Sequence, residues 1–250
     1  MWIGSGAVWN QRLRRIGVAL ALGCAMIAAA EPAATNSRLA ALLGELAQPE
    51  KEIPFKEVVE ATTHFRVLDF DTNNPAHVEL RRKILAGAAL AGGRAAKDGL
   101  TAERANEAGN RIESYVRAAL RDAGLDARVP VNAAGAAQAA GYPDLEIDGP
   151  TPCYLELKTF SAHTASSTQR TFYYSPSERP KITRDALHLL LAFELEKISR
   201  DGRTVFVPTR WRLSTLENLA VRLKWEFNQS NRGLYGQDTA RSLLGEADLK

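Results

Sequence analysis

Two stretches decide the fold: Gly141-Tyr142-Pro143-Asp144-Leu145-Glu146-Ile147 and Cys153-Tyr154-Leu155-Glu156-Leu157-Lys158-Thr159-Phe160. Between them stands Asp148-Gly149-Pro150-Thr151, a run of turn formers separating two β-rich runs. The pattern predicts a pair of short strands, 144–147 and 153–160, joined by a tight turn. Successive side chains on a strand point to opposite faces. Leu155 and Leu157 therefore enter a core, while Glu156 and Lys158 project together from the other side. Asp144 opens the neighbouring strand, and the short turn brings its carboxylate beside Glu156.

Two carboxylates so placed repel each other unless a hard divalent cation lies between them. Magnesium suits the pair best, because it takes one or two protein carboxylates and completes its shell with waters and phosphate oxygens. Such an ion stabilises charge building on a phosphodiester and lowers the pKa of the attacking water. Lys158, two residues beyond Glu156 on the same face, offers a compact charge with three donors to orient that water or the phosphorus oxygens. Read as residues alone, the same groups also fit a surface ion pair on an edge strand, worth about 0–1 kcal/mol. Asp144 after Pro143 equally fits a turn residue.

The order Pro-Asp, then Glu-x-Lys on the next strand, resembles the PD-(D/E)xK nuclease superfamily, to which many type II restriction endonucleases belong. Context sharpens the motif. The strand carrying Glu156 and Lys158 is otherwise apolar, so its two charges demand an explanation. A helix precedes it with Gly109-Asn110-Arg111-Ile112-Glu113. The superfamily often places an acid on that helix, which makes Glu113 the fourth catalytic candidate and Glu107 the second choice.

The resemblance covers roughly residues 101–210. It implies an α/β, restriction-endonuclease-like mixed central sheet flanked by helices, with an N-terminal helical region. It also implies magnesium-dependent, site-specific hydrolysis of double-stranded DNA, the alternatives being an exported non-specific nuclease or a catalytically inactive DNA-binding or interaction module on the same fold. A homodimer is the natural form for cutting both strands of a palindrome, because protein symmetry then mirrors the site. In this fold the position of Arg170 lies near the scissile phosphate, so Arg170 is a candidate DNA contact, with a surface charge as the equal alternative. Arg179, Lys181 and Arg184 cluster around Pro180 at an expected helix start, where they and backbone N–H groups suit phosphate. Arg210 and Arg212 flank Trp211 and suit guanine edges or phosphates. His188 reads as a structural histidine on the expected helix, and His163 as part of a polar loop.

The rest of the chain alternates helix and strand, the pattern of an α/β domain. Helices are expected at 36–48, capped by Asn36 or Ser37, and from Pro75 to about Leu90, capped by Asn73 or Asn74 and ended by Gly92-Gly93. Another is expected from Thr101 to about Ala123, with Gly124 as its stop. Residues 183–198, 213–227 and 239–249 also read as helical. Further strands are expected at 65–70, 171–174 and 204–207. Three segments result: 1–30, a mostly helical region at 31–100, and a nuclease-like core with C-terminal helices at 101–250.

Residues 1–30 combine Arg12, Arg14 and Arg15 with the apolar run 17–30 ending in Ala28-Ala29-Ala30. These are the parts of a secretory signal peptide, and the run is short of the ~20 residues a membrane span needs. The alternative is translation starting at Met26. Localisation follows the choice: cytoplasmic by the restriction-like resemblance, periplasmic or secreted if the signal is genuine, with no membrane partner for the mature chain. The segment holds three basic residues and no acid, so the remaining 29 Lys and Arg balance 29 Asp and Glu. A balanced body excludes a broadly basic coat that would bind nucleic acid everywhere. Basic residues concentrate instead at 168–232, twelve against seven acidic, after an acidic middle at 101–167 with six against nine. Cys153 alone lies beyond residue 30, which excludes an intrachain disulfide or a cysteine zinc site in the mature chain.

Overall fold

The computed structural model describes residues 31–46, 52–103, 105–167 and 172–224. The chain divides into two units, one of residues 1–51 with 223–250 and one of residues 52–222. Within the first, helix α1 spans Glu31–Leu46, beginning before the expected Asn36 or Ser37 cap. The segment 239–249 lies outside the described residues.

The second unit holds β1 (Ile53–Pro54), α2 (Phe55–Thr63), β2 (Val67–Leu68), α3 (Pro75–Asp98), β3 (Leu100–Thr101) and α4 (Ala105–Asp122). These are followed by β4 (Asp126–Arg128), β5 (Leu145–Asp148), β6 (Cys153–Phe160), β7 (Ala186–Arg200), β8 (Arg203–Thr215) and β9 (Ala220–Val221). The main sheet runs β3-β8-β7-β6-β5-β4, with β2 attached to the start of β7. β6 and β2 are parallel to β7 and the remaining pairs antiparallel, so the sheet is mixed. β1 and β9 form a separate two-stranded ribbon. This is the mixed α/β, restriction-endonuclease-like arrangement that the sequence led us to expect.

Helices α3 and α4 cover one face of the sheet. Leu155 and Leu157 of β6 and Leu189, Leu191 and Phe193 of β7 pack into one core with Ile84, Ala88 and Ala91 of α3 and Ile112 and Val116 of α4. Each large aliphatic side chain buried there contributes about 1.5–3 kcal/mol. The two helices cross closely because Gly87 has no side chain: a Cβ there would meet Leu120 Cδ2 at 2.7 Å. A second core lies on the other face, where Phe55 and Val59 of α2 pack with Tyr142, Tyr154, Ile182 and Leu216.

Several sequence expectations are corrected. α3 does not stop at Gly92-Gly93. It continues to Asp98 and ends at Gly99, whose φ of 75° no residue with a Cβ adopts cheaply. Packing overrides the weak helix propensity, since Gly92 seats against Phe193. Its start is as read, with Asn74 Oδ1 accepting from Ala76 N at 2.9 Å. Thr101 belongs to β3 and α4 begins at Ala105, while Gly124, φ 77°, follows its end.

The largest error is at 183–198, which forms no helix but most of strand β7. Leu187, Leu189, Leu191, Phe193 and Leu195 alternate toward the helices, but Ala186, His188 and Leu190 are apolar or buried on the opposite face too. A strand covered on both sides loses the alternation that marks a strand, and its apolar run imitates a buried helix. Residues 213–215 likewise finish β8, and 220–221 form β9 rather than a helix. Residues 225–227 lie outside the described residues. The strand expected at 65–70 shrinks to Val67–Leu68, and residues 172–174 join no sheet.

Candidate active site

The hairpin places the acids. β5 and β6 pair Leu145 with Leu155, Glu146 with Tyr154 and Ile147 with Cys153. One step further along this register sets Asp144 opposite Glu156, and directly opposed residues have Cβ atoms about 4.5–5.5 Å apart. Asp144 Oδ2 accepts a hydrogen bond from Leu157 N at 2.7 Å, which fixes the carboxylate against β6. Upstream, Tyr142 anchors the same segment. Its ring stacks on His188 and its hydroxyl bonds His188 Nδ1 at 2.6 Å.

Glu156 is 3% exposed. Its Oε1 accepts from Lys158 Nζ, and its buried Oε2 has no hydrogen-bond partner. Burial raises its pKa to about 7 and the neighbouring Asp144 adds to the rise, while Lys158 and Lys181 pull the other way. An orphaned, buried carboxylate oxygen beside a second carboxylate is a place for a cation. Among the described residues no group of three or more His, Cys, Asp and Glu is arranged to hold a metal. Two carboxylates with the rest of the shell left to water and phosphate fit Mg²⁺, which keeps several waters, better than ions that demand a full protein cage.

Helix α4 supplies Glu113. Gly109 lies one turn earlier on the same face, and a Cβ there would come 2.9 Å from Thr159 Oγ1. The missing side chain lets α4 lie close on β6 at the strand that carries Glu156 and Lys158. Glu113 pairs with Arg117 at 3.5 Å and acts on Lys181, as do Asp144 and Glu156. Glu107 instead accepts from Glu103 N at 3.1 Å, near the helix start.

Among the basic candidates, Lys181 starts no helix. It is 4% exposed and donates to the backbone carbonyls of Gly141 and Ala139, on the loop that leads to Asp144. Arg184 is bound to Glu146 and, at 2.9 Å, to Asp148, in a cluster that Arg128 joins at 3.4 Å and 3.1 Å from the same two acids. Arg212 and Arg210 stand two strands from the hairpin. Lys158 is in register with Ala192, and Ala192 with Arg212; Phe160 is in register with Glu194, and Glu194 with Arg210. Register partners share a sheet face, so both arginines emerge on the side of Glu156 and Lys158. Arg212 lies 5.6 Å over the Phe160 ring, and Arg210 reaches Glu194 at 3.6 Å. Arg170 lies outside the described residues.

Sequence reading missed the aromatic anchor. His188, 1% exposed on β7 rather than on a helix, packs with Phe55, Tyr142 and Tyr154, and burial depresses its pKa to about 3. The signal was the aromatic residue directly before Pro143-Asp144, which must find a pocket wherever the acid is to be held.

The model of the MjaV family of type II restriction enzymes matches residues 48–238. The type II restriction enzyme MjaV of Methanocaldococcus jannaschii is 34% identical over 227 residues, which are 84% of this chain and 95% of that enzyme. No solved structure matches. Matching over most of both lengths, the chain belongs to the MjaV family of type II restriction enzymes.

Proposed function

We propose that this protein is a magnesium-dependent endonuclease that hydrolyses phosphodiester bonds of double-stranded DNA at a specific sequence, working as a homodimer. The observation that carries the metal-dependent chemistry is the pairing of Asp144 with a buried Glu156 whose Oε2 has no partner. Asp144 and Glu156 would hold Mg²⁺, and the ion supplies Lewis-acid stabilisation of the phosphoryl charge and a more acidic water. Glu113 assists from α4, directly or through water.

The chain's own groups do the positioning. Lys158 Nζ, on the same face and partly exposed, donates to the attacking water or to a non-bridging phosphate oxygen. Water oxygen forms the new bond to phosphorus and gives up a proton to solvent as a backbone P–O bond breaks, and the departing oxygen takes up a proton from solvent. Leu157 N holds Asp144 in place throughout. Arg212 and Arg210 extend the open face by two strands, about 10 Å from the hairpin at the usual strand spacing. That is a suitable reach for neighbouring phosphates of the cut strand. Arg184 and Arg170 complete the set of basic residues that we propose to contact DNA, whereas Lys181, 4% exposed and bonded to the Gly141 and Ala139 carbonyls, is held inside.

Digesting a long linear DNA tests this reading. Discrete fragments in Mg²⁺ and none in excess EDTA support it; a smear argues against sequence specificity, and cutting in EDTA against the metal.

A further inference from the structure

Lys181 is buried more deeply than a lysine ordinarily is, since lysines almost never leave water without a partner. Its ammonium donates to the backbone carbonyls of Gly141 and, at 3.4 Å, Ala139. Both carbonyls belong to the loop that delivers Asp144. The same loop is tied to the residue before Lys181, through Ala133 N donating to Pro180 O at 2.9 Å. Asn132 organises its other end, accepting from Ala134 N and Ala136 N.

Two carbonyl oxygens solvate an ammonium but do not neutralise it. Burial lowers the pKa of Lys181, and Asp144, Glu156 and Glu113 all oppose that shift. Gly141, whose carbonyl accepts from Lys181, stands three residues before Asp144, so the ammonium is held on the loop that carries the first acid of the proposed metal site. Lys158 differs in kind: it is more exposed and bonds Glu156 directly.

The geometry points to Lys181 as the resident cation of the acid cluster, a positioning residue that clamps the Asp144 loop through Gly141 and Ala139 and offsets the carboxylate charge while no divalent ion is bound. This rests on the magnesium reading of the same site. The ammonium and the ion act in the same negative field, so each weakens the hold on the other. Removing the charge leaves the acids more attractive to a divalent ion, while removing only a structural clamp would leave Asp144 loose and weaken binding.

Lys181→Gln separates the two roles, because the amide keeps a donor for the carbonyls and loses the charge. Lys181→Met loses both. Manganese binding is measured by titration calorimetry on the DNA-free full chain, and the melting temperature is read in EDTA and in millimolar Mg²⁺. Lys181→Gln is expected to bind Mn²⁺ about tenfold tighter than wild type, or more. It should melt lower in EDTA, and Mg²⁺ should raise its melting temperature more than it raises that of wild type. Lys181→Met should show a smaller gain in affinity. Unchanged or weaker Mn²⁺ binding by Lys181→Gln overturns the inference, as does a variant that is unfolded both with and without metal. Wild-type protein that binds no Mn²⁺ removes the metal reading and this inference with it. Binding by wild type with an unmoved Lys181→Gln removes this inference alone.

Discussion

Gly109 of α4 sits so close to Thr159 of β6 that a Cβ on it would lie 2.9 Å from Thr159 Oγ1. An exposed helical glycine normally gains stability on replacement by alanine, roughly 1 kcal/mol from propensity alone. Here the added methyl must displace the Thr159 hydroxyl or push α4 away from the strand bearing Glu156 and Lys158. We predict that Gly109→Ala destabilises the protein by about 1–3 kcal/mol, the usual cost of overpacking. It should also slow DNA cleavage by displacing Glu113. Urea unfolding checks the first part, and a stabilised Gly109→Ala would show that the helix has room to spare.

His188 makes stability depend on acid. Its pKa falls from 6.5 to about 3 because burial penalises the charged ring. The unfolded chain therefore takes up a proton that the folded chain refuses. The contribution is fully present above pH 6.5 and is lost as pH falls toward 3, at up to about 1.4 kcal/mol per pH unit. His188→Phe should flatten this acid limb while lowering stability at neutral pH, since the Tyr142 hydroxyl loses its 2.6 Å partner. Denaturation curves from pH 4 to 8 read both effects. An unchanged acid limb in the variant would mean that His188 titrates normally.

Arg184 carries a structural load that its proposed contact with DNA does not require. Glu146 is 5% exposed and shares Arg184 and Arg128. Truncating Arg184 leaves the buried Glu146 carboxylate short of a partner, at a cost of about 1–3 kcal/mol. Arg184→Ala should show a loss of this order, reduced because Arg128 remains, and Glu146→Gln in the same chain should recover much of it. A double-mutant cycle with no coupling between the two positions would contradict the buried pair.

Arg212 is proposed to meet phosphate rather than a base. Arg212→Ala should weaken binding to cognate and unrelated DNA by similar factors. It should also reduce the slope of log affinity against log salt by about one. An altered preference among sequences with an unchanged salt slope would assign it to base reading instead.

Much of the hairpin was legible because its residues obey strong local rules. Asp148-Gly149-Pro150 marks the turn, and Leu155, Glu156, Leu157 and Lys158 alternate cleanly. Strand β7 was not legible. Buried on both faces from Ala186 to Leu189, it shows no alternation there, and only its pairing with β6 and β8 identifies it. The misread strand also misplaced Lys181 and His188. A lysine after a proline reads as a helix-start surface charge, and nothing local reveals that the Asp144 loop will fold over it. Long-range contacts such as Tyr142 with His188, 46 residues apart, leave no periodic trace.

The most direct measurement is single-turnover plasmid cleavage in Mg²⁺ by wild type, Asp144→Ala, Glu156→Ala and Lys158→Ala, with DNA binding followed in parallel. Each variant should lose about a thousandfold or more in rate, as losing a metal ligand or charge-stabilising donor does, while still binding DNA. Cleavage at the wild-type rate by Asp144→Ala or Lys158→Ala would contradict the account.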